Sequence, residues 1–146
     1  MIKKLLAVVA TVFVVSACGE TVQNASLQTP PPAPPPPTKS WMVFFDTNST
    51  ALSQQANTTV TEAANVAKSM ANSKLVVTGY TDTEGSVAYN KALSVRRANA
   101  VRNALMRNGI SPAAVSVVGE GEQGLLVPTP DQTKNENNRR VQIVVQ

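Results

Sequence analysis

Between residues 82 and 97 the chain gathers the few groups whose types and spacing could do chemistry. Asn90, Leu93 and Arg97 are spaced three and four apart, so in a helix they share one face over two turns. Ala100, Val101 and Ala104 continue that face. An arginine on the line of an apolar stripe either snorkels outward or meets an anion, because an unpaired buried charge is costly. Asp82 stands in the turn just ahead of this helix. One acidic and one basic group facing the same space complement a zwitterionic amino-acid centre, with Arg97 taking the carboxylate in a bidentate fork and Asp82 the ammonium. The same spacing also has a purely structural reading. Asp82 would then favour the helix N-terminus or cap a turn, and Arg97 would join Arg96, Arg102 and Arg107 in a solvated lattice. Spacing leaves both readings open.

Composition removes several alternatives. Histidine is absent from the 146 residues, which excludes Ser-His-Asp and Cys-His nucleophile activation and any zinc site built on imidazole. Asp82 with Glu84 or Glu120 would supply the two carboxylates of a glycoside hydrolase, but in a domain too small for a long cleft. Gly119-Glu120-Gly121-Glu122-Gln123-Gly124 satisfies the GxGxxG pattern after a strand. The segment that follows contains Pro128 and Pro130 and opens no helix to hold a pyrophosphate, and two glutamates would repel one, so a turn is the better reading. Formal net charge is +4; without Lys3 and Lys4, which lie in a segment expected to be removed, 11 basic residues face 9 acidic ones. So small a surplus bears on solubility and does not point to nucleic acid.

The elements that must position Asp82 and Arg97 follow from periodicity. Ser40 to Phe45 is apolar and rich in strand formers, and it ends in the polar turn Asp46-Thr47-Asn48-Ser49. Leu52, Ala56, Val60, Ala63, Ala67 and Met70 recur every three or four residues, which predicts a first helix with Ser49 or Thr50 as N-cap. Leu75 to Thr78 is a second strand, and Gly79 to Gly85 a turn. A longer helix is predicted from Ser86 to Asn108, stopped by Gly109. Ser111-Pro112 opens a short helical turn, Val115 to Val118 is a third strand, and a polar loop covers Gly119 to Asn138. Val141, Ile143 and Val145 alternate with Arg140, Gln142 and Val144 in the last strand. The order β-α-β-α-β-β predicts an α/β two-layer sandwich, two main helices on a small mixed sheet.

Thr78 to Ile110, TGYTDTEGSVAYNKALSVRRANAVRNALMRNGI, resembles the core motif of the outer-membrane protein A-like (OmpA-like) domain: a GHTD-type turn, an asparagine, LSxxRA, and a helix ending in GI. FFDTNSTAL (44–52) is similar to the family's opening strand and turn, Gly119 to Glu122 to its glycine and glutamate loop, and Asn138-Arg139-Arg140-Val141 to its terminal NRRV strand. The resemblance implies a non-enzymatic domain, without cofactor, that binds the diaminopimelate residue of the peptidoglycan stem peptide. It puts the principal contacts at Asp82 and Arg97, with Asn90 and Leu93 lining the pocket and Phe45, Asp46 and Thr81 flanking it. Tyr80 stands where the family usually has histidine, which bears on pocket detail. For Asn138, Arg139 and Arg140 a structural role is expected, the arginines pairing with Glu120, Glu122 or the long loop.

The first forty residues read as an address and a tether. Met1 to Lys4 form a basic n-region, and the apolar run Leu5 to Val15 is too short for a stable membrane anchor. Val15-Ser16-Ala17-Cys18-Gly19 resembles the bacterial lipobox, which implies a signal peptide over 1–17 and an acylated Cys18. Several acyl chains, palmitate among them, are what stable anchoring needs. Gly19 after the cysteine is similar to the pattern for sorting to the outer membrane. Residues 18–40, nearly all proline from Pro30 to Pro37, predict a stiff polyproline arm of at most about 70 Å at about 3.1 Å per residue. Residues 41–146 form the binding domain. Together these imply a lipid-anchored outer-membrane protein facing the periplasm, with peptidoglycan as its chief partner. A Pal-like scaffold whose main partner is a periplasmic protein is the alternative.

Overall fold

The computed structural model describes residues 38–146, so the signal-like segment, Cys18 and the proline run lie outside the described residues. Six main elements follow one another: β1 (Lys39–Phe44), α1 (Gln54–Ser69), β2 (Leu75–Tyr80), α2 (Val87–Arg107), β3 (Val115–Gly121) and β4 (Arg140–Val145), with short 3-10 turns at Pro112–Ala114 and Glu136–Asn138. The expected β-α-β-α-β-β order is the observed one. The sheet runs β1-β4-β2-β3. β2 and β3 are parallel across the α2 connection, and β4 lies antiparallel between β1 and β2.

Both helices pack on the sheet, and the core forms where alternate strand residues meet them. Val43, Leu75, Val77, Val141, Ile143 and Val145 from the strands close against Val60, Ala63 and Ala67 of α1 and Ala98, Val101 and Leu105 of α2. Burying each of the larger side chains contributes about 1.5–3 kcal/mol. The outward positions of β1, Met42 and Phe44, remain exposed, as period-2 alternation over one covered face requires.

Strands β2 and β3 run further than the apolar pattern predicted, to Tyr80 and Gly121 instead of Thr78 and Val118. Glycine is the reason. A Cβ on Gly79 would lie 2.1 Å from the Ser94 carbonyl oxygen, and one on Gly119 would lie 2.4 Å from Val95 Cγ2 and 2.7 Å from Ser94 Oγ. These residues read as breakers in sequence, yet in the fold they let α2 settle directly onto the strands. The first half of the GxGxxG segment is therefore strand, and the next helical element is the 3-10 turn at 136–138. Within α2 the buried neighbour of Val101 and Ala104 is Ala98; Ala100 is only half-buried.

The helix ends are set locally. α2 starts at Ser86, whose Oγ accepts from the Tyr89 N–H at 3.2 Å, and stops at Gly109 with φ 90°. α1 is capped by Ser53 Oγ accepting from Ala56 N–H at 3.1 Å, not by Ser49 or Thr50. Ser49 is committed elsewhere: its N–H closes the turn onto the Asp46 carbonyl at 3.2 Å, and its Oγ accepts from Ala51 N–H at 3.1 Å. Leu52, placed by period in the helix, precedes it.

Candidate functional site

The C-terminal ends of β1, β2 and β3, the start of β4 and the first turns of α2 meet at one end of the sheet. The ladder continues past the strand ends there: the Phe45 N–H donates to the Arg139 carbonyl at 2.8 Å, and the Thr81 N–H to that of Gly121 at 2.7 Å. A cavity of ≈ 300 Å³ opens among Asp82, Asn90, Leu93, Arg97 and Arg139, with Thr47, Asn48, Glu84, Gly85 and Tyr89 completing its wall. Four residues singled out by spacing and motif, Asp82, Asn90, Leu93 and Arg97, thus line one space.

Arg97 is 0% exposed, and its environment differs from both readings of the spacing. Neither a solvated lattice nor a carboxylate holds it. Its Nε donates to the Ser49 carbonyl at 3.0 Å, Nη2 to that of Asp46 at 3.0 Å and Nη1 to that of Tyr80 at 3.3 Å. Underneath, the Phe45 ring lies with its centroid 5.3 Å from the guanidinium carbon, on the favourable face for a cation. Three of five N–H donors are spent on fixing the loop after β1 to the end of β2, which leaves two uncommitted among the described residues. Burial pushes the Arg97 pKa down to about 10, with the nearby Asp82 charge opposing the shift and Arg139 adding to it. The group stays cationic at neutral pH.

Asp82, 6% exposed, accepts from Arg139 Nη1 at 3.3 Å and from the Asn135 N–H at 3.2 Å, both on Oδ2. Arg139 also donates from Nε to the Phe45 carbonyl at 3.1 Å, and its Nη2 has no hydrogen-bond partner among the described residues. Arg139 was expected to pair with Glu120, Glu122 or the long loop; instead it is the second cation of the cavity. Sequence held one signal for it, the adjacent arginines at the start of β4, but nothing local pointed across 57 residues to Asp82.

The neighbouring residues take the structural role expected of them, Arg140 against the long loop and Asn138 within it. Arg140 lies with its guanidinium carbon 4.0 Å from the Tyr80 ring centroid and donates from Nη2 to the Gly124 carbonyl at 2.9 Å. Burial lowers its pKa, which Tyr80 opposes. Tyr80, the departure from the family's histidine, therefore faces the outer side of the sheet and does not line the cavity. Asn138 clasps Val127 through both main-chain groups, Oδ1 accepting from its N–H at 2.9 Å and Nδ2 donating to its carbonyl at 2.8 Å, which is the expected structural role. Glu122 accepts from Asn90 Nδ2 at 2.9 Å, orienting the amide within the pocket.

Phe45 and Asp46 flank the site as expected, but they line an adjoining cavity of ≈ 310 Å³ whose wall also includes Arg139. Thr81 lines neither; it is buried, and its hydroxyl has no hydrogen-bond partner among the described residues. Glu84 is tied to Lys134 at 3.3 Å on the surface, so the Asp82/Glu84 pair of a hydrolase is engaged with cations at both members. Chemically, the cavity offers the Asp82 carboxylate beside the Lys134-paired Glu84, two guanidiniums with donors to spare and an oriented amide over an apolar Leu93 floor.

Comparison with known proteins meets this geometry. The OmpA family model matches residues 44–139. An outer membrane protein of Gluconacetobacter diazotrophicus is 37% identical over 113 residues, covering 73% of this chain and 30% of that protein. The peptidoglycan-associated lipoprotein of Pseudomonas putida is 34% identical over 100 residues, covering 68% of this chain and 60% of that protein. The chain thus spans less than two thirds of the length of either relative. Among solved structures, that of the peptidoglycan-associated lipoprotein from Burkholderia pseudomallei superposes with a TM-score of 0.66 at 31% identity, covering 72% of this chain and 89% of that one.

Proposed function

The chain belongs to the OmpA family, and from that premise we propose that it binds the diaminopimelate-containing stem peptide of peptidoglycan non-covalently and so ties the outer membrane to the wall. It is a binding module and not an enzyme. The observation that carries the reading is the placement of Asp82 against Arg97 and Arg139 around one ≈ 300 Å³ cavity. Asp82 takes the ammonium of the peptide's free amino-acid centre. The two remaining donors of Arg97, with Nη2 of Arg139, take its carboxylate. Asn90, held by Glu122, contributes one hydrogen bond, and Leu93 packs against the methylene chain. Because the donors are fixed beforehand by backbone carbonyls, little side-chain entropy is lost on binding.

The rest of the arrangement follows from the sequence: a lipid on Cys18 and the proline arm of residues 18–40 hold the 41–146 domain off the outer membrane, facing the periplasm. The two comparisons named for peptidoglycan association support the ligand. Titration of the soluble domain with a stem peptide carrying diaminopimelate, against the same peptide with lysine in its place, tests it. Lysine lacks the extra carboxylate and should bind at least tenfold more weakly, about 1.4 kcal/mol. Equal affinity for the two peptides rules out carboxylate recognition by the arginines.

A further inference from the structure

The second cavity has no role in holding the amino-acid centre. It shares Arg139 with the first, so the two are adjacent compartments on either side of one side chain. Its wall combines the Phe44 and Phe45 rings with Asp46, Glu136 and Asn137. Phe44 is 47% exposed at the end of β1, a large aromatic that the core does not use. Asn137 is exposed in the 3-10 turn; its main-chain N–H is satisfied by Asn135 Oδ1, and its side chain makes no hydrogen bond among the described residues. Two carboxylates and one guanidinium, the latter already bonded to Asp82, make this compartment acidic on balance.

An acidic lining repels a carboxylate, so the compartment does not suit the peptide's other acidic centres. An exposed aromatic face beside acceptor oxygens and an amide suits a neutral ring with axial C–H groups on one side and hydroxyl and N-acetyl groups at its edge. We propose that this compartment is a second subsite for an amino sugar of the glycan, stacked on Phe44, with Asn137 and the carboxylates of Asp46 and Glu136 bonding its edge. The inference rests on the stem-peptide reading of the first cavity and extends it from the peptide to the strand that bears it.

The test compares two ligands on the soluble domain: the diaminopimelate stem peptide alone, and the same peptide attached to its N-acetylated disaccharide. The disaccharide form should bind about five- to tenfold tighter. Phe44→Ala should remove that gain while leaving affinity for the bare peptide within twofold, and Asn137→Ala, on the exposed turn, should reduce it by a lesser factor with no demand on folding. Equal affinity of the two ligands for the wild-type domain overturns the subsite and leaves the peptide site standing. A gain that survives both substitutions places the sugar elsewhere and also overturns it. Absence of binding by the bare peptide removes the premise and the subsite together.

Discussion

Replacing Arg97 with lysine separates charge from geometry at the centre of the site. The guanidinium reaches three carbonyls, those of Ser49, Asp46 and Tyr80, at 3.0, 3.0 and 3.3 Å, from three different nitrogens. A lysine carries its donors on one atom and cannot span carbonyls fanned around a planar fork. Two of the three bonds are therefore lost in a place closed to solvent, since Arg97 is fully buried. At about 1.5 kcal/mol for each bond to a charged donor, the low end of the usual range, Arg97→Lys should destabilise the domain by roughly 3 kcal/mol. That corresponds to a fall of about 12 °C in Tm for a domain of this size. In urea the midpoint should fall by roughly 2 M with an unchanged slope. Stem-peptide affinity should drop at least tenfold even at peptide and urea conditions where the variant is folded, because the loop after β1 no longer holds the pocket wall. A destabilisation below about 1 kcal/mol, or an affinity within twofold of wild type, would refute the claim that the fork's shape matters more than its charge.

Other perturbations read out neighbouring parts of the same reasoning. Asp82→Asn keeps an acceptor for the Asn135 N–H but not the charge facing Arg139, so retention on purified sacculi should fall at least a hundredfold while the urea midpoint moves by only about 1–2 kcal/mol equivalents. Gly79→Ala brings a methyl to 2.1 Å from the Ser94 carbonyl and should prevent folding, visible as a collapsed dispersion in proton–nitrogen NMR spectra; a well-folded alanine variant contradicts the close helix–strand approach. Asn138→Ala orphans both main-chain groups of Val127 and should cost about 2 kcal/mol, with amide exchange accelerated across the loop that precedes β4. For pH, burial holds the folded pKa of Arg97 at about 10, below its value in the unfolded chain. Between those values the unfolded chain binds more protons at this position, so its contribution to stability rises with pH there and is flat below. Sacculus retention should accordingly show no Arg97-dependent change from pH 6 to 9 and should weaken above 10, where the cation is lost.

The parts of the fold that rest on local signals were legible. Ser86 and Gly109 bracket α2 as their cap chemistry demands, and the alternation in β4 places Val141, Ile143 and Val145 inward. What escaped was set by contacts distant in sequence. Gly79 and Gly119 look like breakers until the helix they accommodate is known. The α1 cap moved to Ser53 because Ser49 is used by a turn and by Arg97, an arrangement invisible to a search for the first hydroxyl before an apolar period. At the site, spacing found a buried arginine and an acid close by and assumed that a buried cation needs an anion. Three carbonyls and an aromatic face served instead, and the anion's resident partner came from the other end of the chain, where the ladder between Phe45 and Arg139 delivers it.

Strand β1 enters the domain at Lys39, paired with Val145 at one end of the sheet, and leaves at Phe44 beside the site at the other, about 17 Å away at 3.3–3.4 Å per residue. Tension between whatever precedes Lys39 and a ligand held in the cavity is directed along this strand. Its hydrogen bonds to β4 lie across that direction, so they are strained side by side and must fail together, whereas a pull across the strand would open them one at a time. The edge position that leaves β1 with a single neighbour is thus also the position in which that neighbour resists a lengthwise load most effectively. If the domain links membrane and wall as proposed, its weakest-looking strand is aligned with the line of force.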